Sequence, residues 1–170
     1  MLGKVIISLA VGEILVQTRE IGERHEVYSQ ARKYADAVGK PLLVVGTPKT
    51  SLSHPCGDVT IDLHTGRVCD TKIADIRSIP YPDHYFGAAL CSHVLEHLST
   101  IDDAFLALAE LDRTADQVFI VSPHKNSIAA WFHPGHHLWV TSTGDGYVIE
   151  QRGNPPKSQE KCYRVALQVM

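Results

Sequence analysis

The sequence has 170 residues, which is most simply one domain and is long enough to bury a hydrophobic core. Hydrophobic residues make up 44% and charged residues 21%, the usual mixture for a soluble globular protein. The formal net charge of -3 argues against a nucleic-acid partner, because nucleic-acid-binding proteins normally present a basic face. The four cysteines are widely scattered without a C-x-x-C pair, so we expect reduced thiols in a cytoplasmic protein.

Residues 1–40 are predicted to be an N-terminal helical extension. Residues 5–16 form an apolar run that Glu13 interrupts and that is shorter than the roughly 20 residues needed to span a bilayer. An ordinary packing element, an interfacial or partner-binding segment and a membrane anchor all stay open for this run. Residues 20–38 carry apolar side chains at helical spacing, with Gly39 as a natural stop, which predicts an amphipathic helix that packs on a sheet or covers a pocket.

Residues 41–125 are predicted to be the core of a single domain. Five short runs predict its strands: residues 41–46, 57–63, 70–75, 85–91 and 117–122. Asp102 or Asp103 is expected to cap a helix that continues through Leu111. Strands that alternate with helices indicate an α/β fold with a mostly parallel central sheet and helices on both faces.

Residues 126–170 are predicted to form a loop and a C-terminal antiparallel hairpin at the sheet edge, with strands at 147–152 and 163–169.

The loop before this hairpin is rich in histidine and tryptophan. His133, His136 and His137 are candidates to face a substrate, act as a general base, bind a metal or simply lie on the surface. Trp131 and Trp139 are expected in the core, because a tryptophan buries a large area.

Polar residues or glycine stand at the predicted strand exits. Open parallel sheets bind ligands outside the carboxyl ends of their strands. Asp62 follows Gly46 by sixteen positions, close to the spacing at which nucleoside-binding α/β units place an acid that accepts hydrogen bonds from a ribose. Helix caps would produce part of the same pattern, so the spacing alone leaves both interpretations open.

A second pattern at the fourth strand exit suggests zinc chemistry. His93, Glu96 and His97 fit the H-x-x-E-H motif of a class of zinc proteases. On a helix that begins at Ser92 and His93, the two histidines would lie one turn apart on the same face. A catalytic zinc site needs three protein ligands and an open position, and the motif supplies two, so we assign no metal ligands and keep a zinc-dependent hydrolase as a third hypothesis.

The residues around this exit also carry a family resemblance. The segment 75–98 contains IPYPD and then a strand that ends in SHVLEHL. It resembles the small-molecule branch of the class I S-adenosylmethionine-dependent methyltransferases, which have an acidic residue, an (L/I)P(F/Y)xD loop and a strand ending in S-x-V-L-E-H-L. The resemblance extends over roughly residues 42–124. It implies a Rossmann-like methyltransferase fold, S-adenosylmethionine as cofactor and a small-molecule methyl acceptor.

The resemblance also assigns roles to the residues at the strand exits. It implies a cofactor site in which Gly46 belongs to the glycine loop and Asp62 is the ribose-binding acid. Asp75 and Ile76 would form the adenine-contacting loop, and Ser92 and His93 would line the methionine end. His93 and His124 are our candidate catalytic bases, since an imidazole titrates near neutrality.

The chain departs from the family pattern in two places. Thr47, Pro48 and Lys49 follow Gly46 where the family has further glycines, and the part after the fifth strand is shortened. The alternative hypothesis is therefore a degenerate methyltransferase-fold protein that binds or scaffolds without catalysis.

Overall fold

The structure is a computed structural model, and it describes residues 2–48, 54–143, 146–153 and 160–163, with side chains described from residue 11 to residue 153 of these ranges. The chain forms three helices and eight strands in these ranges: α1 Leu2–Val38, β1 Leu42–Val45, β2 Val59–Asp62, β3 Thr71–Ile73, β4 Phe86–Ser92, α2 Ile101–Thr114, β5 Ala115–Val121, α3 Ile128–Phe132, β6 Leu138–Thr143, β7 Gly146–Gln151 and β8 Glu160–Tyr163.

The first five strands form one parallel sheet in the order β3-β2-β1-β4-β5. The strand order reverses between β1 and β4, and this is the strand order of the doubly wound nucleotide-binding folds. The predicted α/β class, with a mostly parallel sheet covered on both faces, is confirmed. The topology is Rossmann-like, as predicted.

The central strands are aliphatic because they are buried on both faces. Every residue of β1 and of β4 is buried. On one face, Leu42 and Val44 pack with Ala31 and Ala35 of α1. On the other face, Leu43 shares a core with residues of α2 and of the C-terminal strands. The sheet therefore has a helix layer on each side.

The N-cap of the helix α2 lies before either predicted cap. Thr100 is its N-cap residue, and the Thr100 hydroxyl accepts a hydrogen bond from the backbone N–H of Asp103 at 3.1 Å. Asp102 and Asp103 instead occupy the first turn, where acidic side chains are favourable. The predicted cap was therefore wrong by two or three residues, and the helix itself is confirmed.

The N-terminal region is one continuous helix, α1, rather than an apolar run followed by a separate helix. Its C-terminal half packs on the central sheet as a layer, as predicted. Within the described ranges, no helix combines the length and the apolar character that crossing a membrane requires.

The C-terminal strands form a separate antiparallel sheet in the order β6-β7-β8. The predicted antiparallel hairpin is confirmed by β7 and β8, but its placement at the edge of the central sheet is wrong, and a third strand, β6, joins it. Leu138, Val140 and Ile149 instead pack into the core beside α2. Residues 164–169 of the predicted last strand lie outside the described residues.

Two further local expectations are corrected. The helix expected to begin at Ser92 and His93 does not form, and a single 3-10 turn, Leu95–His97, takes its place. Trp131 is 55% exposed rather than in the core, whereas Trp139 is buried as expected.

The expectation of reduced thiols fails for two of the four cysteines. Cys56 and Cys69 form a disulfide between the segments that precede β2 and β3. Cytosolic proteins seldom keep such bonds, so the cytoplasmic location stays a prediction that this disulfide gives reason to test.

Candidate functional site

A cavity of about 870 Å³ lies at the carboxyl ends of β1, β2 and β4. Its volume falls within the range of roughly 300–1,000 Å³ that small-molecule sites occupy. Six of the seven predicted site residues line it, and they come from separate strand exits: Gly46, Asp62, Asp75, Ile76, Ser92 and His93. The sheet topology thus brings together residues that are up to 47 positions apart in the sequence.

Gly46 ends β1 in a conformation that suits glycine. Its φ of 95° lies in the left-handed region, and a Cβ added there would come within 2.6 Å of the backbone oxygen of Ser92. Because Gly46 has no Cβ, the backbone that leaves β1 can lie in direct contact with the end of β4. The predicted glycine position therefore has a steric requirement of its own.

Asp62 fixes the loop that follows Gly46. Its two carboxylate oxygens accept hydrogen bonds from the backbone N–H groups of Thr47, at 2.8 Å, and His64, at 3.1 Å. A carboxylate has about four acceptor positions, so these two contacts leave capacity for a ligand hydroxyl. Asp62 joins the β1 and β2 exits at the wall of the cavity.

Asp75 is paired with a neighbouring arginine. Arg77 donates to both carboxylate oxygens of Asp75, with the shortest contact at 2.7 Å, and its Nη1 donates to Asp103 at 2.7 Å. These hydrogen bonds from Arg77 lower the pKa of Asp75 below its usual value. Ile76, between the two, is buried with 5% exposure and packs into the core beside the cavity.

His93 follows β4 with a φ of 55°, an uncommon conformation for a residue with a side chain. Its Nε2 atom accepts a hydrogen bond from Nε of Arg24 at 2.9 Å, and its Nδ1 atom lies 3.3 Å from a carboxylate oxygen of Glu96. Ser92 beside it is buried with 6% exposure. The imidazole is therefore held between a cation from α1 and an anion from the 3-10 turn.

Glu96 is a buried acid with 1% exposure. Within the described residues neither of its carboxylate oxygens has a hydrogen-bond partner, and the 3.3 Å approach to His93 is an ion-pair distance only. Burial of Arg24 lowers the pKa of that guanidinium, while the charges of Glu20 and Glu96 oppose the shift. Buried charges without full pairing are costly, which marks this end of the cavity as a place where ligand contacts would be stabilising.

Three histidines form a further part of the cavity wall. His97, His133 and His136 each offer one ligand atom, and these atoms lie within 4.8 Å of one another. Burial lowers the pKa of His136 to about 4, so its imidazole is neutral near neutral pH. The sequence suggested a role for the histidines of this loop but paired them with His137, whose side chain is exposed outside the group.

His124 lies apart from the main cavity. Its backbone N–H donates to a carboxylate oxygen of Glu20 at 2.8 Å, and its Nδ1 atom accepts from the backbone of Asn126 at 3.1 Å. It lines a much smaller cleft between α1 and the segment after β5. Its catalytic role stays a prediction, as does that of His93.

The sequence missed three arginines that line the cavity, Arg24, Arg67 and Arg77. Arg77 lies between the predicted Asp75 and the IPYPD loop. Its position two residues after the acid could have predicted that it lies at the site. Arg24 lies on α1, and only the packing of that helix on the sheet brings it to the β4 exit.

Comparison with protein families matches residues 56–117 to a methyltransferase domain. The matched segment covers a little more than a third of the chain. The match lies inside the range of the resemblance seen in the sequence and includes Asp62, Asp75, Ser92 and His93. The methyltransferase-domain segment thus covers β2 to β4, the intervening loops and α2.

Two solved structures resemble the chain at low sequence identity. The [4+2]-cyclase SpnF shares 17% identity, with a TM-score of 0.37, over 54% of this chain and 40% of that one. A Burkholderia thailandensis 1,6-didemethyltoxoflavin-N1-methyltransferase, solved with its substrate and S-adenosylhomocysteine, shares 12% identity, with a TM-score of 0.39, over 79% of this chain and 61% of that one. The chain thus spans between two fifths and three fifths of the length of these proteins. No curated protein matches the chain.

Proposed function

We propose that this protein is an S-adenosylmethionine-dependent methyltransferase that acts on a small-molecule acceptor. The observation that carries the proposal is the cavity at the strand-order reversal, lined by Gly46, Asp62, Ser92 and His93, within a chain whose core is a methyltransferase-domain segment. Open α/β sheets bind their ligands at this position.

The residues of the cavity fit the groups of an adenosyl cofactor. Asp62 retains acceptor positions for a ribose diol after its two backbone contacts. The guanidinium of Arg24 is partly buried beside His93 and is suited to a carboxylate, which guanidinium groups bind through paired hydrogen bonds. Ile76 offers an apolar surface at the Asp75 loop for a purine.

Bound S-adenosylmethionine would supply an electrophilic methyl group on a sulfonium centre. The contribution of this chain would be to hold the acceptor in line and to exclude water, which is catalysis by proximity and orientation. His93 would act first as a positioning residue, because Arg24 already donates to its Nε2 atom. To accept a proton there, His93 would have to exchange this contact with Arg24 for one with the acceptor.

The proposal is tested by calorimetric titration of S-adenosylmethionine and S-adenosylhomocysteine into the wild-type protein and two variants. Asp62→Asn removes the charged acceptor and is expected to weaken binding about 10-fold or more, as the loss of a hydrogen bond to a charged group does. Asp116→Asn is the matched control, because Asp116 pairs with Lys40 outside the cavity. Thermal unfolding of both variants checks that Asp62→Asn keeps the fold despite its contacts with Thr47 and His64.

The non-catalytic alternative is favoured by one observation, the pairing of Asp75 with Arg77. Both carboxylate oxygens of Asp75 accept from that guanidinium, which leaves less capacity for a cofactor. A protein of this kind would fail to bind either ligand at millimolar concentration, and that outcome would overturn the enzyme proposal. Cofactor binding without methyl transfer to any of a panel of small hydroxyl, amine and thiol acceptors would instead favour a binding module.

A further inference from the structure

The three-histidine group is assembled from two separate segments. His97 ends the 3-10 turn after β4, and His133 and His136 lie on the loop between α3 and β6. The rings of His133 and His136 stack with centroids 4.2 Å apart, and that of His97 lies 4.7 Å from His136. The contact of three imidazoles at the cavity wall brings one potential ligand atom from each ring within 4.8 Å of the others.

Arg152, directly after β7, holds the histidine loop in place. Its guanidinium donates to the backbone oxygens of Ala130, at 3.1 Å, His136, at 3.0 Å, and Trp131. The backbone N–H of His137 donates to the backbone oxygen of Glu96 at 2.7 Å and ties the loop to the 3-10 turn. These hydrogen bonds, together with the contact between the His97 ring and the backbone oxygen of Gly135, set the separation of the two histidine-bearing segments.

The surroundings of the imidazoles are those of metal ligands. The Nδ1 atom of His97 lies 2.9 Å from the backbone oxygen of Gly135, a contact of the kind that orients a ligating histidine and leaves Nε2 for the metal. The Nδ1 atom of His136 is buried and has no hydrogen-bond partner in the part of the chain that is described. The buried carboxylate of Glu96 is close enough for its negative charge to act on His136.

The spacing of the three ligand atoms fits a transition-metal ion after a small adjustment. Metal–nitrogen bonds of about 2.0–2.1 Å in a tetrahedral site place ligand nitrogens roughly 3.3 Å apart. The separations here are at most 4.8 Å, so side-chain rotations of the order of an ångström would close the site. Imidazole ligands favour zinc, copper, nickel and iron over magnesium or calcium.

We propose that His97, His133 and His136 bind a divalent transition-metal cation, with Zn²⁺ as the reference ion, at the wall of the cavity. Three histidines leave a fourth position, as in catalytic rather than closed structural zinc sites. This site shares only His97 with the H-x-x-E-H motif of the sequence. It does not depend on methyl transfer, since metal binding is measurable in the absence of S-adenosylmethionine.

The test is a titration of Zn²⁺ into tag-free, oxidised protein of residues 1–170 by calorimetry, repeated with Co²⁺, whose visible spectrum reports coordination geometry. We expect one ion per chain and a tetrahedral Co²⁺ spectrum. His97→Ala, His133→Ala and His136→Ala should each lower the affinity about 100-fold or more, exceeding the 10–100-fold cost of losing an outer partner. Gly135→Ala should lower it less, because its Cβ would come within 3.5 Å of atoms of both His133 and His97.

His137→Ala is the matched control, since it removes a neighbouring imidazole on the same loop and should leave the affinity unchanged. Cys162→Ser checks that the remaining C-terminal thiol is not the ligand. Absence of Zn²⁺ binding at micromolar concentration, or equal losses in the His137→Ala and His136→Ala proteins, would overturn the proposal. Titration of S-adenosylmethionine into the His136→Ala protein distinguishes failure of the metal proposal from failure of the proposed function. Loss of zinc binding with retained cofactor binding would show that the substitution removes the metal site and leaves the cofactor site intact.

Discussion

Gly46 carries a prediction at the scale of one residue. Gly46→Ala would place a Cβ 2.6 Å from a backbone oxygen of Ser92 and 2.7 Å from a methyl group of Val94, at a φ of 95°. The left-handed conformation costs about 1–2 kcal/mol and the overlap about as much again, so we expect a loss of about 3 kcal/mol in the free energy of unfolding. Chemical denaturation of the purified variant measures this loss.

The matched control is Gly39→Ala at the end of α1. Gly39 has a φ of 67°, and a Cβ added there would meet no atom within 4 Å, so this variant bears the conformational cost without the overlap. It should lose only about 1 kcal/mol. Equal losses in the two variants would show that the contact between the β1 and β4 exits has no energetic importance. A displaced β1 exit should also weaken binding of S-adenosylhomocysteine in Gly46→Ala alone.

Several energetically unfavourable features lie together at His93 in the cavity. Its positive φ, the buried Glu96 beside it and the desolvated Arg24 are each unfavourable in isolation. Backbone support comes from the His93 N–H, which donates to the oxygen of Val121 at 2.8 Å. Strain and incompletely paired buried charge cluster at functional sites more than elsewhere, so this cluster is where we expect ligand contacts to matter most.

At the scale of elements, the contacts of Glu13 with α3 explain why an acid interrupts the apolar run of residues 5–16. Its carboxylate accepts hydrogen bonds from the Ser127 hydroxyl and from the backbone N–H groups of Ile128 and Ala129, so α1 supports the start of α3. A hydrogen bond from Gln17 and the contacts from α3 lower the pKa of Glu13 below its ordinary value of 4.5.

This pKa shift predicts a pH-dependent stability. A carboxyl whose pKa is lower in the folded state stabilises the fold above pH 4.5, and this contribution is lost as the pH falls through the folded-state pKa. Glu13→Gln should therefore be about 1 kcal/mol less stable than wild type at pH 7, with the difference vanishing in strong acid. Urea unfolding at several pH values measures it. Glu26→Gln, an exposed position on the same helix, should show no such difference, and a gap that persists at low pH would contradict the argument.

The packing of α1 on the sheet predicts a contrast between two alanines. Ala35 has no exposed surface and lies against β1 and β4, where a Cβ on Gly87 would already come within 3.0 Å of its Cα atom. Ala35→Leu should overpack this contact and cost about 1–3 kcal/mol. Ala37→Leu, on the exposed side of the same helix, should change stability by less than about 0.5 kcal/mol. Thermal unfolding compares them, and equal melting temperatures would indicate that α1 does not pack on the sheet as described.

At the scale of the whole molecule, the sequence predicted the central sheet well and the C-terminal part poorly. Strands buried on both faces are short aliphatic runs, which is why β1 and β4 stood out. The strand β6 was missed because its second half, Thr141 to Thr143, is exposed and polar. The group of His97 with His133 and His136 joins residues up to 39 positions apart, and tertiary contacts such as the hydrogen bonds of Arg152 and the bond from His137 to Glu96 bring them together.

The two sheets share one core, and this predicts cooperative unfolding. Leu138, Val140 and Ile149 of the C-terminal sheet pack with residues of the central sheet and of α2. Both tryptophans lie next to or within the C-terminal sheet, so their fluorescence reports on it, whereas far-ultraviolet circular dichroism is dominated by α1 and α2. The two signals should give coincident urea transitions, as expected for a two-state domain.

A cavity in the shared core should move both transitions together. Ile149 has no exposed surface, and Ile149→Ala should cost about 2–4 kcal/mol. Its effect should be equal by fluorescence and by circular dichroism, because Ile149 packs in the core that the two sheets share. Thr141→Ala, at an exposed position of β6, is the control and should shift neither transition appreciably. If Ile149→Ala shifted the fluorescence transition and left the circular dichroism unchanged, the C-terminal sheet would be a separate unit, and the histidine loop next to it would be held independently of the cavity.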